Sequence, residues 1–147
     1  MNEIILSTIP FLMDGLLMTF KISLLTIFFG SLIGVVVGML RSLDYAVITY
    51  PLGAYIHALR GTPFLIHLYL VYFMLPMTGI SWLQLEAFPA AVIALSMYTS
   101  TYVAEIVRSA IQAVPRGQSE AARSTGMTAL QSMWYVVLPQ AVKLMIP

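Results

Sequence analysis

One uncharged stretch, residues 22–40, constrains the fold more than any other feature of the sequence. As a helix rising about 1.5 Å per residue, it nearly matches a bilayer hydrocarbon core of roughly 30 Å. A second uncharged stretch, residues 87–104, carries Pro89 at its start, where a missing helical N–H costs little. Charged residues make up only 9% of the chain, against about 25% in soluble domains. The sequence therefore predicts an all-α integral membrane protein whose apolar surface is covered by the lipid bilayer.

Several functional classes are excluded by composition. The formal net charge is +1 and the basic residues are scattered, so we expect no nucleic-acid partner. The chain has no cysteine, which excludes disulfides and thiol catalysis. His57 and His67 lack carboxylate or cysteine companions, so no metal site is expected. A G-x-x-x-x-G-K-[ST] phosphate loop is also missing, so we expect this chain to bind no cofactor and ATP to bind elsewhere.

Arginine placement sets the number of crossings and their orientation. Arg41 follows the first apolar stretch and Arg108 follows the last, whereas residues 77–88 contain no lysine or arginine. By the positive-inside rule both arginines are cytoplasmic and the N-terminus lies outside, so an odd number of crossings, most simply one, separates Arg41 from Glu86. The residue before Pro63 disfavours helix, which predicts a break at residues 61–63. The predicted spans are approximately residues 14–41, 45–77 and 87–108.

A glycine repeat marks the first span. Gly30, Gly34 and Gly38 recur every four residues and share one face of a helix. Such a face lets another backbone approach closely, so we interpret these glycines as helix-packing residues. The alternative is that they reflect only the ordinary glycine content of membrane helices.

Beyond Arg108 the sequence becomes polar. Residues 118–125 are good helix formers, and Gly126 is a typical left-handed terminator. Thr128 and Gln131 then form a T-x-x-Q capping box that opens a second helix. Its apolar residues recur at helical spacing until Pro139: Leu130, Met133, Trp134 and Val137. The pattern predicts a helix, a sharp turn and an amphipathic helix; an interfacial linker with Trp134 at the headgroup level remains the alternative.

These polar residues resemble the EAA signature of permease subunits in binding-protein-dependent ABC importers. The matching positions are Glu120-Ala121-Ala122, Gly126, and Val136 before Leu138-Pro139. Further segments resemble the polar amino acid branch of that family, of the histidine and glutamine type: "RGTP" at 60–63, "YVAEIVRSAI" at 102–111, "VPRGQSEAA" at 114–122 and "LPQA" at 138–141. The long gapped match is far more specific than a single short motif.

The resemblance implies a type I ABC importer transmembrane domain that works by alternating access in the bacterial inner membrane. Residues 112–136 would form the cytoplasmic coupling loop, and a coupling helix within it would dock on a separate ATPase subunit that binds ATP-Mg. The chain itself would not be an enzyme. Other implied partners are an extracytoplasmic amino-acid-binding protein and a second permease subunit, identical or different. The implied coupling residues are Gly117, Glu120, Ala121, Ala122, Gly126 and Pro139.

Five residues are candidates for the transport pathway or its gate: Arg60, Thr99, Thr101, Glu105 and Arg108. Glu105 either lines the pathway or pairs locally with Arg108, three residues on. The hydroxyls of Thr99 and Thr101 either face a polar solute or bond to the backbone one turn earlier. Arg60 either shares the role of the arginine in the family's "RGTP" pattern or snorkels to the interface.

The resemblance also bears on the extent of the domain. Members of the family continue after "LPQA" through the rest of a fourth span, a loop and a fifth span. We therefore expect residues 1–147 to form one incomplete domain, with a fourth span starting at approximately residues 137–147. Two alternatives to an amino-acid permease remain: a non-transporting membrane fragment that only binds partner subunits, and a secondary carrier driven by an ion gradient.

Overall fold

The computed structural model describes residues 2–43 and 45–145, and the described part is helical with no strand. The predicted all-α class is thus confirmed. The helices are α1 (Asn2–Arg41), α2 (Ala46–Arg60), α3 (Phe64–Tyr69), α4 (Ala87–Ala113), α5 (Arg116–Ser124), α6 (Ala129–Ser132) and α7 (Leu138–Met145). Residues 146 and 147, the end of the predicted fourth span, lie outside the described residues.

Two of the described helices are long and apolar enough to cross a membrane. They are Thr8–Arg41 within α1, with mean hydropathy 2.3, and Ala87–Ala113, with mean hydropathy 1.4. Large apolar side chains such as Phe11 and Tyr50 are exposed on the outside of the chain. Lipid would cover such a surface, as the low content of charged residues predicts.

The predicted break at residues 61–63 separates α2 from α3. The axes of Ala46–Arg60 and Phe64–Thr78 differ by 103°, so this pair is either one broken span or a re-entrant loop. Pro63 adopts an extended conformation with ψ 139°. A Cβ on Gly61 would lie 2.7 Å from the carbonyl oxygen of His57, so the tight turn requires glycine at this position.

The main packing contact joins α1 to α4. Gly30 faces Thr99, Gly34 faces Ser100 and Val103, and Gly38 faces Ala104 and Val107. A Cβ on any of the three glycines would come within 3.0 Å of an atom of α4. We call this contact the glycine seam: it brings the two helix backbones together where a side chain would hold them apart.

Two π-helical turns interrupt the shorter helices. They are Leu70–Met74, which follows α3, and Met133–Val137, which links α6 to α7. Each is followed by a Leu-Pro pair. Helical structure continues from α6 through the second π turn into α7 and ends at Met145, over the residues where the fourth span is expected to start. Val137 is buried in this segment, whereas Leu130 and Trp134 are exposed.

Candidate functional site

A short surface helix lies directly beyond the end of α4. Val114 and Pro115 leave the helical conformation, with ψ angles of 126° and 133°, and α5 begins at Arg116. The side chain of Val114 is buried in a cluster with Ile111, Val137 and Ala141. α5 contacts the Met133–Val137 turn, and Val137 of that turn packs in the same cluster as the end of α4, so α5 is connected to α4 through this turn.

The exposed face of α5 carries three of the six predicted coupling residues. Gly117, Glu120 and Ala121 are exposed, and Ala122 is buried against the rest of the chain. A Cβ on Gly117 would meet no atom within 4 Å. Glu120 makes no ion pair with any of the described residues. This face thus presents small side chains and one unpaired carboxylate to a partner.

The turn after α5 is a Schellman motif. Gly126 has φ +90°, its N–H donates to the carbonyl of Arg123 at 3.0 Å, and the N–H of Met127 donates to the carbonyl of Ala122 at 3.3 Å. This pair of hydrogen bonds requires a residue in the left-handed conformation. Glycine adopts that conformation without the steric cost of a Cβ. The left-handed terminator predicted at Gly126 is confirmed.

The capping box predicted from T-x-x-Q is also confirmed. The N–H of Gln131 donates to Thr128 Oγ1 at 3.2 Å, and the N–H of Thr128 donates to Gln131 Oε1 at 2.8 Å. Pro139, which the family resemblance grouped with the coupling residues, lies in α7, after the π turn. Next to it, Gln140 Nε2 donates to Gln118 Oε1 of α5 at 3.2 Å, which ties α5 to α7.

A second cluster lies at the Gly38 end of the glycine seam. Arg41, the last residue of α1, forms an ion pair with Glu105 of α4. The local pair with Arg108 that the three-residue spacing allowed is absent among the described residues, and the Nε atom of Arg108 is buried without a partner. The long-range pair forms because Gly38 lets the end of α1 pack directly on α4 beside Ala104.

The two candidate threonines of α4 do not face open space. Thr101 is fully buried, and its hydroxyl donates to the carbonyl of Tyr98 at 2.7 Å. Thr99 packs on Gly30 in the glycine seam. The backbone-bonding alternative therefore describes Thr101, and Thr99 serves as a packing residue.

A third cluster surrounds Arg60 at the break between α2 and α3. The Arg60 guanidinium carbon lies 4.8 Å from the ring centroid of Tyr102. The hydroxyls of Tyr102 and Tyr98 are 2.9 Å apart, and the ring of His67 lies 5.9 Å from that of Tyr98. His67 Nε2 also bonds to Thr62 Oγ1 at 2.8 Å. We call Arg60, Tyr98 and Tyr102 the arginine–tyrosine cluster.

Sequence reasoning missed the two tyrosines and the role of Arg41. A signal was available for the tyrosines, since residues 98 and 102 are four apart and share a helix face in the polar part of α4. Arg41 was used only to orient the first span. Within the described ranges, no group of three or more His, Asp or Glu residues could hold a metal ion.

The chain matches one protein family and is similar in sequence to several known proteins. Residues 30–147 match the family model described as "Binding-protein-dependent transport system inner membrane component". The chain is 38% identical over 135 residues to a probable glutamine ABC transporter permease protein, GlnM, of Bacillus subtilis (strain 168); the match covers 92% of this chain and 61% of GlnM. It is 34% identical over 148 residues to the glutamate/aspartate import permease protein GltK of Escherichia coli O157:H7, covering 97% of this chain and 66% of GltK.

A solved structure is similar as well. A chain of a crystal structure described as an amino acid ABC transporter with histidines superposes with a TM-score of 0.83 at 40% sequence identity. The superposition covers 97% of this chain and 65% of that one. The chain thus spans about 61% of GlnM and 65% of the solved chain in length.

Proposed function

The chain belongs to the family of binding-protein-dependent transport system inner membrane components, and from this premise we propose that it is a permease subunit of an ATP-driven importer of polar amino acids. The observation that carries the proposal is α5. It is a short helix that directly follows a helix long enough to span the membrane, and it exposes an unpaired Glu120 next to small residues. Such a helix fits a surface that docks on a partner protein outside the membrane.

In this proposal, ATP-Mg binds and is hydrolysed in a separate ATPase subunit, and this chain acts as a transporter and not as an enzyme. The ATPase contacts α5 through Gly117, Glu120 and Ala121, while the Schellman turn at Gly126 fixes the angle at which α5 leaves its surface. Because Val114 packs against Val137 and Ala141, a displacement of α5 moves the end of α4. Movements caused by ATP binding and hydrolysis in the ATPase would thereby be transmitted to the membrane helices.

The remaining partners follow from the same family membership. An extracytoplasmic binding protein would deliver the amino acid to the outer face, and a second permease subunit, identical or different, would complete the pathway. The basic residues Arg41, Arg116 and Arg123 support the orientation in this proposal, with α5 in the cytoplasm of a bacterial cell and the N-terminus outside.

Co-purification tests the docking surface. The chain, co-expressed with the ATPase subunit of its importer, is compared with the double variant Glu120→Arg, Gly126→Trp. The matched control is Glu86→Arg, Gly79→Trp, which makes the same changes in the loop before α4, where Gly79 also has positive φ, at +75°. We expect the ATPase to be lost from the first double variant and retained by the second.

Three outcomes would count against the proposal. Equal ATPase binding by both double variants would reject docking through α5. No ATPase binding by the unaltered chain would count against its coupling to an ATPase and also against a fragment that only binds partner subunits. Amino acid uptake that continues after ATP depletion, with the ion gradient intact, would instead indicate a secondary carrier.

A further inference from the structure

Arg60 is a cation without an acidic partner in the described part of the chain. The single ion pair among those residues joins Arg41 to Glu105. Tyr102, on which the Arg60 guanidinium lies, belongs to the uncharged stretch of α4. An arginine at such a position is costly unless an anion or a water-filled cavity accompanies it, and it marks a functional site by default.

The position of the side chain speaks against simple snorkelling. A snorkelling arginine extends along its own helix toward the headgroups. The Arg60 guanidinium instead lies on a ring of a different helix, 4.8 Å from its centroid. Both Arg60 and Tyr102 remain exposed. The cation is therefore held in place on α4 and stays open to a ligand.

The unused hydrogen-bond donors of the arginine–tyrosine cluster define what it can bind. A guanidinium has five N–H donors and no acceptor, and stacking on an aromatic face leaves the N–H groups at its edge free. Within the Tyr98–Tyr102 hydroxyl pair, 2.9 Å apart, one O–H donates to the other oxygen, so one O–H remains available. A planar fork of N–H donors beside a free O–H is complementary to a carboxylate.

The surrounding charges also select an anion. Glu105 lies three residues beyond Tyr102, about one helical turn away, and its charge is compensated by Arg41. His67 is engaged with Thr62 behind the Tyr98 ring. Arg60 is thus the uncompensated charge of this region, which disfavours an ammonium group and favours an oxyanion.

We propose that the arginine–tyrosine cluster binds the α-carboxylate of the transported amino acid as it passes along α4. This inference rests on the proposed function, since it names the part of the substrate that the pathway recognises. Recognition of the α-carboxylate suits a permease whose substrates differ in their side chains, because every α-amino acid presents that group.

The test is direct binding to the full permease in complex with its ATPase, in detergent and without the binding protein. The probes are radiolabelled L-glutamine, L-glutamate and L-arginine, each paired with its α-carboxamide, which has no carboxylate. We expect the unaltered complex to bind at least one amino acid about tenfold or more tightly than its amide, as charge-assisted hydrogen bonds allow. Arg60→Gln should reduce this preference to about twofold or less, mainly by weakening binding of the acid.

Further variants separate charge from geometry. Arg60→Lys keeps the charge but loses the planar fork, so it should retain only part of the preference. Tyr102→Phe keeps the ring under the guanidinium and removes one hydroxyl, so a smaller loss of a few-fold is expected. Lys21→Gln removes an exposed cation elsewhere in α1 and should leave the preference unchanged.

Two results would overturn the inference. One is an unchanged preference for the acid in Arg60→Gln; the other is no binding of any of the three amino acids by the unaltered complex. If Arg60→Gln instead lowers only the phospholipid phosphate that co-purifies, the anion is a lipid headgroup and the inference is also wrong. Stimulation of ATP hydrolysis by the loaded binding protein is measured in parallel, because its absence would count against the proposed function itself.

Discussion

Replacing Gly34 with alanine should open the glycine seam. A Cβ at this position would lie 2.5 Å from Val103 Cβ and 2.8 Å from the carbonyl oxygen of Ser100, whereas ordinary contacts begin at 3.4 Å. Because one of these neighbours is backbone, no change of rotamer relieves the contact, and α1 must move away from α4 by about 0.9 Å. That displacement would also loosen the close contacts at Gly30 and Gly38.

Overpacking of this kind costs about 1–3 kcal/mol. We expect about 2 kcal/mol for Gly34→Ala, or a fall of roughly 4–8 °C in the melting temperature, measured by tryptophan fluorescence on the full-length protein in detergent. The matched control is Gly15→Ala in the same helix, where a Cβ would meet nothing within 4 Å. The control exchanges glycine for a better helix former and should melt at or above the unaltered protein. The reasoning is refuted if Gly34→Ala melts no lower than Gly15→Ala.

Two further perturbations test the contacts described above. Glu105→Gln leaves the Arg41 side chain, which is only 10% exposed, without its anion; the expected loss is about 2 kcal/mol, less than for a fully buried pair because the Glu105 side chain is 30% exposed. The melting temperature measures this loss. The charge swap Arg41→Glu, Glu105→Arg should recover part of it, and no recovery would mean that the ion pair itself does not contribute to stability. Thr128→Ala removes the capping box and should lower the stability of α6 by about 1 kcal/mol. This loss is measured as faster amide hydrogen exchange in residues 129–132. Thr128→Ser keeps the capping hydroxyl, so its amides should exchange at the unaltered rate.

The features that sequence predicted best are those set by neighbours in the chain. The Gly126 turn and the Thr128 capping box depend on hydrogen bonds that reach at most five residues along the chain. The local residue pattern is therefore sufficient to predict both. The break at residues 61–63 is local in the same sense, because Pro63 restricts its predecessor. For the glycine repeat, the sequence indicated which face of α1 is small, but not that α4 would cover it.

The features that sequence could not predict depend on distant residues. Arg41 and Glu105 are 64 positions apart, and a helical pattern offers Glu105 a nearer candidate in Arg108. The nearer arginine does not pair because α1 packs closely enough on α4 to bring Arg41 to the carboxylate. Arg60 and Tyr102 likewise meet because α2 packs against α4, as the 2.8 Å hydrogen bond between the Tyr55 and Ser100 hydroxyls also shows.

The two π turns share a sequence signal that the periodicity of apolar residues hides. Residues 70–76, "LVYFMLP", and 133–139, "MWYVVLP", both place a tyrosine three residues before Leu-Pro. A proline inside an α-helix clashes with the carbonyl four residues earlier, which here belongs to that tyrosine, and a wider turn relieves the clash. In each segment the leucine N–H donates to the carbonyl five residues back, so the chain stays helical instead of stopping at the proline.

These turns also explain how α4 is held along its length. Val71, within the first π turn, packs with Ala90 and Ala94 near the start of α4, and Val137, within the second, packs with Ile111 and Val114 near its end. Between these contacts the glycine seam covers α4 from Ser96 to Val107. The face left uncovered carries Tyr102 and part of Glu105. A helix supported at both ends and along one side can shift only as a unit, so motion of α5 near its Ala113 end would reach the arginine–tyrosine cluster through α4.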